Sequence, residues 1–157
     1  MLHVDYTYSR AKGNMFNSVG AAWGGTYFEN PNRQINAYGN LNNDAPHALD
    51  VYGTFSLPLG LTFSPRFTWL TGRNWTPYVQ VSEIAGAPAV LLTERGSERL
   101  KARVALDLRL EKVFSLSARH RIGLILDAFN VFNRGVPTGI YAGANRPNYG
   151  KASSVCD

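Results

Sequence analysis

Cysteine is nearly absent from this chain of 157 residues, whose single cysteine is Cys156. One cysteine excludes an internal disulfide and provides no cysteine cluster for a metal ion. Charge is also scarce, since Asp, Glu, Lys and Arg make up 17% of the residues, below the quarter that is usual. The net charge of +5 would suit an acidic partner, but the basic residues are scattered singly, which disfavours nucleic acid as a partner.

Long hydrophobic runs are missing as well. No stretch approaches the ~20 apolar residues that a membrane helix needs, which excludes helical membrane spans only. A membrane β-barrel has a much weaker signature in each segment and would escape this test. Met1 is not followed by a basic segment and an apolar segment, so the sequence predicts no signal peptide.

Combinations of residues that carry catalysis are also lacking. The histidines, His3, His47 and His120, fall on separate segments, with no spacing that would hold a metal. The serines lack the Gly-x-Ser-x-Gly pattern, and the paired glycines Gly24 and Gly25 lack that of a phosphate loop. The sequence therefore predicts neither an enzyme nor a bound cofactor or metal.

Alternation of apolar and polar residues is the dominant pattern that is present. Apolar and polar side chains alternate over eight to twelve residues in five segments, which favours β-strands with one apolar and one polar face. The abundance of glycine and aromatic residues agrees with this interpretation. The five predicted strands cover residues 2–10, 48–57, 61–70, 103–114 and 121–132.

The connections between these segments are alternately long and short. Tight turns are predicted at Pro58–Gly60 and around residues 115–119, whereas the stretches 11–47, 73–102 and 134–148 are rich in glycine or asparagine and predict loops. Outer-membrane barrels have short turns on the periplasmic side and long loops outside. The chain is therefore predicted to be all-β, with antiparallel up-and-down strands of a transmembrane barrel and a sixth strand starting near Tyr149.

The apolar faces of the predicted strands favour lipid over a protein core. They are almost free of charge, and the exception, Lys112, lies near a strand end, from which its ammonium can reach water. Aromatic residues are predicted at both strand ends, as in the girdles of membrane barrels. Tyr8, Trp69 and Trp75 would lie at the outer ends, and Phe63 and Phe114 near the inner turns. A soluble sandwich or lipocalin-like barrel would have the same alternation, and it stays open as an alternative.

The predicted register brings charged side chains together on the polar face. With the tight turns centred near Leu59 and Ala118, Arg109 should lie opposite Asp127, and Tyr52 opposite Arg66. Arg109 and Asp127 are therefore predicted to form a cross-strand pair inside the barrel. This pair would either help to form a polar wall against which a plug moves or simply fix the strand register.

Several segments resemble those of TonB-dependent outer-membrane receptors. The run RVALDLRLEKVFSLSARHRIGLILDAFNVFNRGVP (103–137) is similar to their penultimate hairpin, and VDYTYSRAKGN (4–14) to an outgoing strand and loop. The segments NDAPHALDVYGTFSLPLGL (43–61) and TGRNWTPYVQV (71–81) resemble the hairpin and outer loop of members that carry a carboxypeptidase-regulatory-like N-terminal domain. The resemblance covers most of the chain in order.

The resemblance implies a fragment of an energised transporter in the outer membrane of a Gram-negative bacterium. Residues 1–157 would be one partial barrel domain, since five strands cannot close a membrane barrel, and the plug domain and the final strand are expected to be missing. Its partners would be the rest of the barrel, the plug, the TonB complex and outer-membrane lipid. The cargo would be a metal chelate, a carbohydrate or a peptide. A passive porin-like or adhesin barrel and a soluble β-sandwich binding module are the alternatives.

Two sets of loop residues are candidate contacts in such a receptor. Guanidinium and ammonium groups at the outer strand ends could bind lipopolysaccharide phosphates, or could simply be solvated loop charges. This first set is Arg10, Lys12, Arg73 and Arg134, with Arg33 and Arg146 beside them. Aromatic rings of the first long loop could stack on a sugar or a chelate, or could pack within the loop itself. This second set is Trp23, Tyr27, Phe28 and Tyr38.

Overall fold

A computed structural model describes residues 1–14, 31–83, 89–117 and 119–156, and within these ranges the side chains of Arg33 and Cys156 are not described. The regular elements in these ranges are β-strands and two short 3-10 helices, Pro31–Gln34 and Pro58–Gly60. The strands are β1 (Leu2–Tyr8), β2 (Lys12–Gly13), β3 (Gly39–Asn40), β4 (His47–Gly53), β5 (Phe55–Leu57), β6 (Leu61–Leu70), β7 (Asn74–Trp75), β8 (Tyr78–Gln80), β9 (Ala89–Leu91), β10 (Glu98–Arg99), β11 (Arg103–Ser115), β12 (Arg121–Ala128), β13 (Val136–Ile140) and β14 (Ala152–Cys156). Across the ranges that the structure describes, no helix is long and apolar enough to cross a membrane.

The main sheet contains the five long predicted strands. Its order is β1-β4-β6-β11-β12, each strand antiparallel to the next, and β5 extends the β4 side along β6. The order in the sheet is the order along the chain, so this part of the fold is an antiparallel meander. The prediction of an all-β, up-and-down antiparallel fold is confirmed to that extent. The sheet is open, since β1 and β12 each pair on one side only.

The strand register separates apolar from polar side chains. Directly opposed residues of neighbouring strands point to the same side of a sheet. One row across four strands holds Val4, Val51, Phe67 and Leu106. We call this side the apolar face; it also carries Tyr6, Tyr8, His47, Leu49, Trp69, Leu110, Lys112, Leu124 and Leu126.

The opposite side of the sheet is polar. The next row along the same four strands holds His3, Tyr52, Arg66 and Asp107. We call this side the polar face; it also carries Asp5, Asp50, Arg109, Glu111, Ile125 and Asp127. The alternation in the sequence therefore gives one sheet with two chemically different faces.

The apolar face is largely uncovered. Leu124 and Leu126 of β12 are 64% and 66% exposed, and Val4 of β1 is 60% exposed. Within the described ranges, the buried residues other than glycine and proline instead lie in the loops, at Ala37, Asp44, Asn74, Arg95 and Val136. The small sheets formed by β2–β3, β7–β10, β8–β9 and β13–β14 pair among themselves and add no strand to the main sheet.

Short and long connections lie at opposite ends of the main sheet. The turn between β5 and β6 has Leu59 and Gly60 at positive φ, 66° and 70°, as the Pro-Leu-Gly sequence predicts for its glycine. The turn between β11 and β12 is held by the His120 carbonyl, which accepts a hydrogen bond from the Leu116 N–H at 3.0 Å. We call this end of the sheet the turn end, and the other, which carries the long connections, the loop end.

The long connections are more regular than the sequence predicts. The glycine- and asparagine-rich stretches were predicted as loops, yet they contain seven of the eight short strands of the four small sheets, and the eighth, β14, follows the last stretch. These strands are mostly two to five residues long, too short to produce a readable alternation. We call the described parts of 9–46, 71–102 and 129–156 the loop layer.

Several strand boundaries differ from the prediction, since β1 ends at Tyr8 and the strand predicted over 48–57 is divided into β4 and β5. The predicted strand 121–132 ends at Ala128, because Asn130 and Asn133 adopt left-handed backbone conformations with φ of 47° and 46°. The Asp107 carboxylate accepts a hydrogen bond from the Asn130 N–H at 2.9 Å and so fixes this turn. Phe132, predicted to continue the apolar face, lies in the turn instead.

The sixth strand predicted near Tyr149 is also placed differently. The strand in this region, β14, begins at Ala152 and pairs with β13 in a separate two-stranded sheet. It does not extend the main sheet beyond β12. The last hairpin therefore belongs to the loop layer.

Candidate functional site

The polar face carries an ion pair between Arg109 of β11 and Asp127 of β12. These residues are directly opposite each other, as the register predicted. Arg109 donates from Nε to Asp127 Oδ1 at 2.6 Å and from its NH2 group to Oδ2 at 2.8 Å. The cross-strand pair expected from the sequence is therefore present, and its location inside a barrel stays a prediction.

A second ion pair on this face was missed by the sequence reasoning. Arg66 lies opposite Tyr52, as predicted, but it donates two hydrogen bonds to Asp50, at 3.1 and 2.6 Å. The Tyr52 ring instead stacks on His3, with ring centroids 4.9 Å apart. The sequence could have predicted this pair. Asp50 is two residues from Tyr52 on the same face of β4, so it is a diagonal neighbour of Arg66.

Aromatic side chains gather on the apolar face at the loop end. The Tyr6 hydroxyl hydrogen-bonds with His47 Nδ1 at 2.7 Å, and the His47 ring also contacts Tyr8 and Trp69. Tyr8 and Trp69 therefore lie at the strand ends where the sequence predicted them. Trp75 does not, because it belongs to β7 in the loop layer, where its ring meets Tyr149 edge-on.

Lys112 is a cation among the apolar side chains of the turn end. It lies between Leu61 and Leu124 in the register, and its ammonium donates to the carbonyl of Leu59 in the tight turn. The ammonium is also 5.5 Å from the centre of the Phe114 ring. The stem thus covers apolar surface while the charge reaches the end of the sheet, as predicted.

Asp44 links the first and second long loops at the loop end of the main sheet. Its side chain is 1% exposed and accepts hydrogen bonds from the Ala11 N–H at 2.8 Å and from Arg99 at 2.7 Å. Arg99 also donates to the carbonyls of Asp44 and Gly72, at 3.0 and 2.9 Å. This buried cluster holds the start and end of the first loop against the start and end of the second.

A pocket of about 310 Å³ opens within the loop layer. Residues from the second and third long loops form most of its wall, with Asn42 contributed by the first. Its lining contains both cationic and aromatic side chains and, among the residues described, no carboxylate. The wall consists of Asn42, Arg73, Asn74, Trp75, Thr76, Tyr78, Leu91, Arg95, Leu100, Thr138, Gly139, Ile140 and Ala142.

Asn74 is the most unusual polar residue of this wall. It is 7% exposed, and its Nδ2 donates to the Leu41 carbonyl at 2.8 Å. Its Oδ1 has no hydrogen-bond partner among the described atoms. Buried polar atoms are nearly always satisfied, so this acceptor needs a donor beyond the described contacts.

The residues predicted to bind lipopolysaccharide all lie at the loop end but in different surroundings. Arg10 and Arg134 are exposed, whereas the Lys12 ammonium lies 3.9 Å from the Glu94 carboxylate. Arg73 lines the pocket, and Arg146 donates to the Gln80 side chain at 3.3 Å. The described contacts do not join these residues into one cluster.

The aromatic residues predicted to bind a ligand are only partly placed. Tyr38 is 62% exposed beside β3 and is not part of the pocket wall. Trp23, Tyr27 and Phe28 lie outside the described residues. The aromatic residues of the pocket, Trp75 and Tyr78, come from the second long loop instead. The sequence feature that could have pointed to them is the segment Arg73-Asn74-Trp75, which comes soon after a predicted strand.

Comparisons of the chain with models of protein families, with curated proteins and with solved structures found no match. Among the described residues, no group of three or more His, Cys, Asp or Glu side chains is placed to hold a metal ion. The features available for function are therefore the two-faced sheet, the ion pairs on its polar face and the pocket in its loop layer.

Proposed function

We propose that this chain is part of the wall of an outer-membrane β-barrel, within a transporter of the TonB-dependent receptor type. The observation that carries the proposal is the uncovered apolar face of a sheet whose other face holds bidentate Arg–Asp pairs. In a membrane barrel, side chains alternate between lipid and an aqueous interior. The apolar face would contact lipid, and the polar face would line the interior.

The exposure of the apolar face argues against a solitary soluble sheet. Burial of apolar surface contributes roughly 25 cal/mol per Å² to the free energy of folding. An apolar face that stays in water does not contribute this stabilisation. Leu124 and Leu126 are both more than half exposed, and no second sheet covers them in the described ranges. Lipid would remove these side chains from water without a second layer of protein.

The dimensions and the placement of the connections also support the proposal. Strands β6 and β11 have 10 and 13 residues, and a tilted strand needs roughly 9–11 to cross a bilayer. The tight turns would lie on the periplasmic side and the loop layer outside the cell. The aromatic group of Tyr6, Tyr8 and Trp69 would then lie at the outer membrane interface, where aromatic girdles occur.

The transporter part of the proposal rests on the resemblance of residues 4–14, 43–61, 71–81 and 103–137 to TonB-dependent receptors. It implies active uptake of a metal chelate, a carbohydrate or a peptide, together with a plug, the rest of the barrel and the TonB complex. Arg10, Lys12, Arg73 and Arg134 would face lipopolysaccharide. The gene offers a separate test, because a plug and a TonB box should be encoded upstream of Met1 in the same reading frame. A passive porin-like or adhesin barrel would have neither.

A matched pair of labelled cysteines tests the membrane orientation. Leu124 and Ile125 are neighbours in β12, both more than half exposed, and lie on opposite faces. In a Cys156→Ser background, Leu124→Cys and Ile125→Cys would each carry an environment-sensitive fluorophore after the whole barrel encoded by the gene, with this chain in its wall, is reconstituted into vesicles. The label at 124 should be quenched by nitroxide lipids and protected from iodide in water. The label at 125 should show the reverse.

Equal quenching of the two labels by lipid, or protection of neither, would reject the membrane proposal. A soluble β-sandwich makes a different prediction in buffer without lipid or detergent. There the label at 124 would be buried against a second sheet and protected from iodide, and the chain would be a folded monomer. Measurements with and without vesicles therefore separate these two possibilities.

A further inference from the structure

The pocket in the loop layer has the size and shape of a small-molecule site. Its volume of about 310 Å³ is at the lower end of the range for ligand pockets, roughly 300–1,000 Å³. Apolar side chains such as Leu91, Leu100 and Ile140 form much of its wall, interrupted by a few polar groups. This mixture is typical of sites that bind and orient one small ligand.

Positive charge is the first property that defines the ligand. Arg73 and Arg95 both line the pocket, and no Asp or Glu is present among its described lining residues. Arg73 is exposed, and its side chain forms no ion pair with the described residues. A guanidinium binds a carboxylate or phosphate through paired hydrogen bonds, so the pocket favours an anionic ligand.

Unsatisfied hydrogen-bonding capacity is the second property. The Asn74 amide donates from Nδ2 to the Leu41 carbonyl, and its Oδ1 is buried without a donor among the described atoms. The Thr76 hydroxyl accepts a hydrogen bond from the Gly96 N–H at 2.7 Å and can still donate its own proton. A ligand hydroxyl could donate to Asn74 after a small rotation of that amide, whereas a simple anion such as phosphate at neutral pH offers few donors.

Aromatic surface is the third property. Trp75 and Tyr78 both line the pocket, and Trp75 is held by its edge-on contact with Tyr149. Indole and phenol rings provide flat apolar surface with a polar edge, which suits a ring that has both C–H and hydroxyl groups. Positive charge, a free acceptor and aromatic surface are thus combined in one small cavity.

We propose that this pocket binds a small hydroxylated organic acid of about the size of a single sugar acid. The carboxylate would pair with Arg73, and a hydroxyl would donate to Asn74, while the ring would pack against Trp75. The inference concerns only the loop layer, so it stands or falls independently of how the main sheet meets lipid.

Calorimetric titration of the full 157-residue chain, folded in detergent micelles, tests this inference. The probes are D-glucuronate, neutral D-glucose and inorganic phosphate. Glucuronate should bind, and glucose, which has the same ring without the carboxylate, should bind at least about tenfold more weakly, as expected for a lost charged hydrogen bond. Phosphate, which lacks the ring, should also bind more weakly than glucuronate.

Two exposed arginines provide the matched variants. Arg73→Gln should weaken glucuronate binding about tenfold, and Arg121→Gln, at the turn end, should leave it unchanged. Circular dichroism in the same micelles verifies that each variant is folded. The inference is overturned by a folded chain that does not bind glucuronate, by glucose or phosphate binding equally well, or by equal losses in both variants. Because no vesicle is involved, these outcomes are distinct from a failure of the membrane proposal.

Discussion

Arg66 binds Asp50 diagonally across two strands, although Tyr52 is the residue directly opposite it. The Tyr52 ring stacks on the His3 ring of β1 instead. Tyr52 and Arg66 therefore interact with different partners, although they lie directly opposite each other. The polar face is consequently tied together across β1, β4 and β6, while the Arg109–Asp127 pair joins β11 to β12. These contacts join side chains of neighbouring strands along the polar face.

The Arg109–Asp127 pair should contribute a coupling energy that depends on salt. In a double-mutant cycle with Arg109→Ala and Asp127→Ala, unfolding in micelles should reveal a favourable coupling at low ionic strength. Both side chains are partly exposed, so added NaCl should reduce the coupling. A cycle between Arg121 and Asp127, which form no ion pair, is the control and should show none. A coupling that is absent at low salt would contradict the structural role of the pair.

Asp44→Asn should destabilise the loop layer. The substitution removes the charged acceptor of Arg99 and weakens the bond from Ala11, in a place from which water is excluded. We expect the free energy of unfolding in urea to fall by about 1–3 kcal/mol. Asp5→Asn is the control, because Asp5 is exposed opposite the like charge of Asp50 and its neutralisation should cost nothing. Equal losses in the two variants would contradict the buried role of Asp44.

Gly96→Ala should cost more stability than Gly150→Ala, although both glycines have positive φ. Gly150, at 77°, has open space around it, so the alanine should cost only the backbone strain of about 1–2 kcal/mol. At Gly96, with φ of 65°, the added methyl would also lie 2.6 Å from the Asn40 carbonyl oxygen. The first and second long loops would have to move apart to make room for this methyl group. Urea unfolding of the two variants measures the difference, and similar losses would show that the loops are not tightly packed there.

The main sheet could be predicted from the sequence because each of its strands is long enough to display alternation. A period of two over eight or more residues fixes which side chains share a face, and short turns then fix the register. That is why the opposition of Arg109 to Asp127 follows from the sequence alone. The exposure of the apolar face follows less directly, since the same alternation would also suit a sandwich.

The loop layer could not be predicted in the same way. Its strands are too short to have a period, and its contacts join residues far apart in the chain, such as Asp44 with Arg99 and Asn145 with Gln80. The pocket is assembled from such contacts, so its residues share no local pattern. The end of β12 was missed for a different reason. Phe129, Val131 and Phe132 keep the apolar character of the strand, while Asn130 turns the backbone and donates its N–H to Asp107 of the neighbouring strand.

The open edges of the sheet have a consequence for how the protein could enter a bilayer. Along β1 and β12, one row of backbone N–H and C=O groups has no partner strand within the part of the chain that the structure describes. In hydrocarbon each such group costs several kcal/mol, so an unaccompanied sheet of this kind would be expelled from the membrane despite its apolar face. Insertion therefore requires that both edges acquire neighbours at the same time. Recruitment of those neighbours and entry into lipid would be a single cooperative event.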